Sequence, residues 1–124
     1  MYNTILSKVT MQAEALNNKG IETRPGCVAI ALSILGNKWT ALIVKELSEG
    51  CARFSKLEHS LKGISPRTLS QRLDEMERCG LISKKSFAEV PPRVEYTLTK
   101  KGRDLIPILK SMADWGSKYY SDVH

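Results

Sequence analysis

ISPRTLSQRLDEMERCG, residues 64–80, decides how the rest of the chain is read. Ser65 is a good N-cap, and Pro66 falls at the first helical position, where a missing N–H costs nothing and a fixed φ helps. Leu69, Leu73 and Met76 recur at i, i+4 and i+7 as a narrow buried stripe. Gly80 supplies the left-handed residue that ends the last turn. The opposite side carries Arg67, Thr68, Gln71, Asp74, Glu75 and Arg78. Side chains that can bond to base edges thus come first and carboxylates later, an order that suits a helix entering a DNA major groove by its N-terminal end. A solvated amphipathic helix is the competing reading of this stretch alone, so its neighbours decide.

Upstream, Ser55 and Glu58 have the spacing of a capping box, opening a short helix through Leu57 and Leu61 that stops at Gly63. Only a tight turn then separates it from Ser65, which makes the pair a helix-turn-helix unit. Cys51 to Phe54 is a bridging strand. Before it, Cys27 to Leu35 is nearly all apolar and reads as a short buried helix. Asn37 caps a helix from Lys38 to Glu49 with Trp39, Leu42, Ile43 and Leu47 on one face. At the start of the chain Tyr2, Ile5, Leu6, Val9, Ala13 and Leu16 mark a helix over Thr4 to Asn18, followed by a linker to Gly26.

Downstream of Gly80 the period changes. Leu81 to Ala88 is a strand, Glu89 to Pro92 a turn built on two prolines, and Arg93 to Leu98 alternates Val94, Tyr96 and Leu98 with Arg93, Glu95 and Thr97. This is a β-hairpin with a basic rim, the wing of a winged helix. Thr99 caps a last long helix whose Leu105, Ile106, Leu109, Met112, Ala113 and Tyr119 form a wide apolar stripe, with Pro107 expected to kink it. Trp39, Trp115 and the tyrosines sit in apolar stripes and read as core and interface aromatics rather than a ligand cage.

The chain of 124 residues fits a single folded domain with an extension, divided as 1–26 (helical extension and linker) and 27–124 (winged helix-turn-helix with a C-terminal dimerisation helix). No apolar run approaches the length of a membrane span and no cleavable apolar signal stands at the N-terminus, so no membrane partner is expected and the cytoplasm is the expected compartment. Three cysteines without a CxxC pair give neither a disulfide framework nor a zinc site. Twelve of the 19 Lys and Arg but only six of the 13 acids lie between Arg53 and Arg103. The whole positive excess therefore sits on the segment carrying the helix-turn-helix, as a footprint for a phosphate backbone would. The only histidines are His59 and His124, and no catalytic set, phosphate loop or cofactor motif assembles; an enzyme is not expected, nor a cofactor or metal.

The succession GNKWTALIVKEL (36–47), RFSKLEHSLKGISPRTLSQRLDEMERCGLI (53–82), EVPPRVEYTLTKKG (89–102) and Trp115–Gly116 resembles the HxlR-type family of winged-helix transcription regulators, relatives of the MarR group. The resemblance runs from about Cys27 to Gly116 and implies a homodimeric bacterial DNA-binding regulator, often of a neighbouring gene, with the dimer made by terminal helices. Family members carry Cys-Pro before the first core helix; here Cys27 is followed by Val28 and the proline is displaced to Pro25. Some members sense oxidants or electrophiles through a cysteine at this place.

The expected fold is thus mainly α with a small β-hairpin, a winged helix-turn-helix whose N- and C-terminal helices form a dimer interface. The expected function is sequence-specific binding of double-stranded DNA by a homodimer on an inverted-repeat operator, as a repressor. A winged-helix module for protein or RNA is the alternative, and the Arg67, Thr68 and Gln71 face combined with a basic hairpin speaks against it. Arg67, Thr68 and Gln71 are expected on bases, Ser65 and the helix N-terminus on a phosphate, Arg72 on the backbone, and Lys84, Lys85 and Arg93 on phosphates or the minor groove. Cys27, in the first turn of its helix, is the candidate for a small oxidant or electrophile as effector; the competing reading is a small buried hydrophobe. Cys79 is a weaker candidate and Cys51 an uncertain disulfide partner.

Overall fold

A computed structural model describes residues 26–123. The expected Thr4–Asn18 helix lies outside them. The chain divides into two units, Met1–Thr40 and Ala41–His124. Within the described residues the elements run α1 (Cys27–Leu35), α2 (Lys38–Leu47), β1 (Ala52–Arg53), α3 (Phe54–Ser60), α4 (Pro66–Arg78), β2 (Ile82–Phe87), β3 (Arg93–Leu98), α5 (Lys100–Arg103), α6 (Ile106–Lys118) and α7 (Tyr120–Val123).

In the first unit, α1 follows Gly26, whose φ of 97° needs a residue without Cβ. The expectation of a buried helix is corrected: only Ala29 and Leu35 are buried, while Val28, Ile30 and Leu32 are exposed, Leu32 by 57%. Asn37 caps α2 as expected, its Oδ1 accepting from the N–H groups of Trp39 (2.9 Å) and Thr40 (3.3 Å).

In the second unit Ile43, Val44, Leu47, Leu57, Leu61, Ile64, Leu69, Leu73, Met76, Leu81, Ile82 and Leu98 are buried. The buried face of α2 is rotated from the expected one: Thr40 and Val44 are buried, while Trp39 and Leu42 are half-exposed.

The α4 helix forms as its signals dictate. Ser65 Oγ accepts from the Thr68 N–H at 3.1 Å and donates to Thr68 Oγ1 at 2.9 Å, with Pro66 in the first turn. At the other end Gly80 takes φ +76°, its N–H bonds to Glu77 O (3.0 Å), and the Leu81 N–H reaches Met76 O (2.9 Å). This is a Schellman closure, with Leu81 and Met76 both buried across it. Replacing Ser65 by Ala is expected to lower unfolding stability by about 1 kcal/mol, read by urea denaturation, because one donor of the first turn loses its partner.

The carbonyls left over at the end of α4 are taken by the following segment. Thr99 Oγ1 donates to Gly80 O, and Lys101 Nζ donates to Cys79 O at 2.6 Å. Thr99 Oγ1 also accepts from the Gly102 N–H (3.1 Å), capping α5 as expected. Gly102 is required by proximity: a Cβ there would lie 2.1 Å from the Leu81 carbonyl oxygen.

Three further expectations are corrected. Helix α3 begins at Phe54 with Arg53 as N-cap and no side-chain cap, so Ser55 and Glu58 form no capping box. The preceding strand runs straight into the helix and places Ser55 inside its first turn. The last helix is not a kinked rod but two helices, α5 and α6, parted at Asp104 and Leu105, with Pro107 in the first turn of α6. Proline has no N–H to give to the carbonyl four residues earlier, so the break falls before it and the ring is accommodated where that donor is not needed. Finally, the hairpin belongs to a three-stranded antiparallel sheet of order β1-β3-β2. Ala52 pairs with Tyr96 on one side of β3 and Ile82 with Leu98 on the other. Along β3, Arg93 to Tyr96 are all half-exposed instead of alternating.

Candidate nucleic-acid interface

The α3–turn–α4 unit is held by Leu57, Leu61, Ile64, Leu69 and Leu73, all buried, which fixes the outer side of α4. Arg67, Ser70, Gln71, Asp74 and Arg78 stand exposed on that side. Ser70 was missed in the sequence, although its place three residues after Arg67 puts it on the same face. Thr68 is half-exposed, and its hydroxyl is engaged by the Ser65 O–H, so the two side chains form the cap together. Arg72 is half-buried, with Nη2 3.0 Å from Glu75 Oε1.

Toward its C-terminal half α4 turns acidic, and this side approaches the sheet. The Tyr96 phenol is raised above its ordinary pKa, first by burial and then by the negative fields of Asp74 and Glu77. It remains protonated across the physiological range and so adds no charge to this side.

On the wing, Lys84 and Lys85 are exposed on β2 opposite Tyr96 and Glu95. Successive strand residues point to opposite faces, so the two ammonium groups flank the ribbon. Lys85 Nζ sits 5.1 Å from the Phe87 ring centroid. Arg93 is placed differently. Its guanidinium carbon lies 4.0 Å from the same centroid, and its nitrogens approach Glu89 Oε1 at 3.3 Å and Glu95 Oε2 at 3.2 Å. Two carboxylates therefore balance its charge, which the sequence counted among the free cations. Glu89 was four residues away on the chain; Glu95 needed the strand pairing.

Cys27 is exposed in the first turn of α1. Cys51 is exposed too, its thiol donating to Glu95 Oε1 at 3.6 Å, and Cys79 is the half-buried C-cap of α4. Trp115 is 69% exposed, which excludes the core half of its expected role. Among the described residues no three His, Cys, Asp or Glu are grouped to hold a metal, and no single helix is long and apolar enough to cross a membrane.

The helix-turn-helix just described coincides with a family pattern: the description of HxlR-like helix-turn-helix proteins matches residues 34–124. The chain belongs to this family. Its relatives include an uncharacterized HTH-type transcriptional regulator of Methanothermobacter thermautotrophicus, 43% identical over 94 residues, spanning 76% of this chain and 72% of that protein. The structure of a protein described as a MarR-family transcriptional regulator from Enterococcus faecalis V583 superposes with a TM-score of 0.72 at 39% identity, covering 82% of this chain and 93% of that one. The redox regulator HypR in its reduced form gives a TM-score of 0.74 at 32% identity, over 77% of this chain and 95% of HypR. As an HxlR-like protein with the winged-helix fold, the chain is a DNA-binding transcription regulator.

Proposed function

We propose that this HxlR-like protein is a cytoplasmic, sequence-specific regulator that binds double-stranded DNA as a homodimer on an inverted repeat and represses a neighbouring gene by occupying its promoter. Residues 27–124 act as the DNA-binding and dimerising domain, with 1–26 as an extension. The observation that carries the reading is the outer side of α4, where Arg67, Ser70 and Gln71 stand free over a buried stripe and a capped N-terminus. Arg67, Thr68 and Gln71 read base edges, Ser65 and the helix N-terminus meet a phosphate, and Arg72 supports the backbone contact from its pair with Glu75. No step of this function is catalytic. Selection of bound fragments from a genomic DNA pool tests it, with single-stranded RNA and heparin as competitors. Recovery of an inverted repeat upstream of a gene is the expected outcome; binding set by charge alone, with RNA and heparin equally effective, would defeat it.

Lys84 and Lys85 supply the wing's phosphate contacts, while Arg93 acts mainly by holding the shape of the wing. The double change Lys84→Ala, Lys85→Ala is expected to weaken binding to all DNA. It should also flatten the salt dependence of log K by about two units of slope, one per contact. Equilibrium titrations across a salt series measure this.

HypR is described as a redox regulator and has been solved in reduced and oxidised forms. By that likeness and by its exposure at the head of α1, Cys27 is read as the residue through which an oxidant or small electrophile changes DNA affinity. Operator binding by wild type is expected to change on diamide treatment and recover with reductant, whereas Cys27→Ser should not respond. A Cys27→Ser variant that responds as strongly as wild type would assign the thiol a packing role.

A further inference from the structure

The tip of the wing, Ala88 to Pro92, is built like a wedge. All five residues are exposed, and Val90 stands wholly in solvent at 102%. The one charge in the tip, Glu89, is tied to Arg93, which is itself drawn onto Phe87 and Glu95. Pro91 and Pro92 carry no N–H. The tip thus offers no free cation and little donor capacity. The free ammonium groups lie lower on the ribbon, Lys84 on one face and Lys85 on the other.

That vertical order, apolar at the end and cationic on both flanks below, complements a minor groove. The groove is about 6 Å wide, with sugar walls and a negative ridge along each edge. Small and cyclic side chains enter such a slot, and lysines on the two faces of the ribbon meet the two ridges. A neutral tip cannot be drawn in by the groove's potential as an arginine is, so it gains by packing and loses by burying polar atoms it cannot satisfy. The atom at issue is the guanine N2 amino group, the one donor that distinguishes G·C from A·T on the minor-groove floor.

Resting on the reading of the chain as an operator-binding protein, we propose that Val90, backed by Pro91 and Pro92, packs into the minor groove beside the α4 half-site and discriminates against the N2 amino group, with Lys84 and Lys85 on the flanking phosphates. Wing specificity then arises by exclusion, without a hydrogen bond to a base.

The test uses operators altered only on the minor-groove floor. Diaminopurine in place of adenine adds the amino group and inosine in place of guanine removes it, while the major-groove edges read by α4 keep their pattern. At one or two positions flanking the half-site, diaminopurine should weaken wild-type binding about fivefold or more, and inosine should strengthen it. For Val90→Ser, whose hydroxyl can accept from the amino group, the same changes should alter affinity by less than about twofold. Lys84→Ala, Lys85→Ala should retain the wild-type discrimination with a reduced salt slope. The proposal is overturned if no flanking position responds in wild type, or if Val90→Ser discriminates as wild type does. Failure of the operator reading is separate: wild type would then select no sequence, and Arg67→Ala would bind as tightly as wild type.

Discussion

Exchange of Met112 and Trp115 together for glutamate is expected to yield a folded monomer whose affinity for the full operator is lower by about a hundredfold or more. The reason lies in the two sides of α6. Ile106, Leu109 and Ala113 line an apolar groove together with Leu42 and Val44 of α2. Ile108, Met112, Trp115 and Tyr119 follow one another at steps of four, three and four residues on the opposite side and are exposed, Met112 by 50%. Trp115 and Tyr119 already pack as a tilted pair, ring centroids 5.3 Å apart. An apolar, aromatic helix side of this kind is the composition of a dimer core. Two carboxylates per chain, brought together by a dyad, would oppose association without disturbing any buried contact of the protomer. Sedimentation at micromolar concentration should show dimer for wild type and monomer for the variant, and denaturation should show little change in protomer stability. A wild-type monomer that binds an isolated half-site tightly would overturn the twofold arrangement.

Arg67→Ala and Gln71→Ala are each expected to cost about 1 to 3 kcal/mol at the selected operator and to relax preference at one base position, with little effect on unrelated DNA. The geometry makes this separation measurable. Both side chains are exposed without a hydrogen-bond or ion-pair partner among the described residues, and neither belongs to the buried stripe of Leu69, Leu73 and Met76. Arg72→Ala is the informative contrast, because it breaks a half-exposed pair with Glu75 and should act on all sequences alike. Competition titrations against a panel of single-base operator variants check both outcomes. Equal loss on every sequence after Arg67→Ala would reduce that side chain to a phosphate contact.

Those readings differ in where their information came from. The recognition helix was legible because its signals are local: Ser65, Pro66 and Gly80 act through their own backbone or within a few residues, and Leu69, Leu73 and Met76 follow the helical period. The same holds for the Asn37 and Thr99 caps and for the two strands of the wing. Local signals also misled. Ser55 and Glu58 had the right spacing for a capping box, but the strand before them runs directly into the helix at Phe54. Pro107 has the look of a kink within one helix, whereas the chain breaks at Asp104 and Leu105 and uses the proline in the next first turn.

By itself the sequence determined the helix-turn-helix, the wing, the polar outer side of α4 with its cation and amide at the N-terminal end, and the placement of positive charge, since each depends on residue type at short spacing. Tertiary structure alone decided which of those charges are free. Arg93 is neutralised because strand pairing and the turn bring Glu95 and Glu89 to it, while Lys84 and Lys85 stay unpaired on opposite faces of the ribbon. It also decided that Thr99 and Lys101 close the end of α4 from about twenty residues away, and that Gly102 must be small because the Leu81 carbonyl lies against it. Contacts of this kind join groups distant along the chain, and no period or cap motif encodes them; they exist only once the hydrophobic core has set the elements side by side.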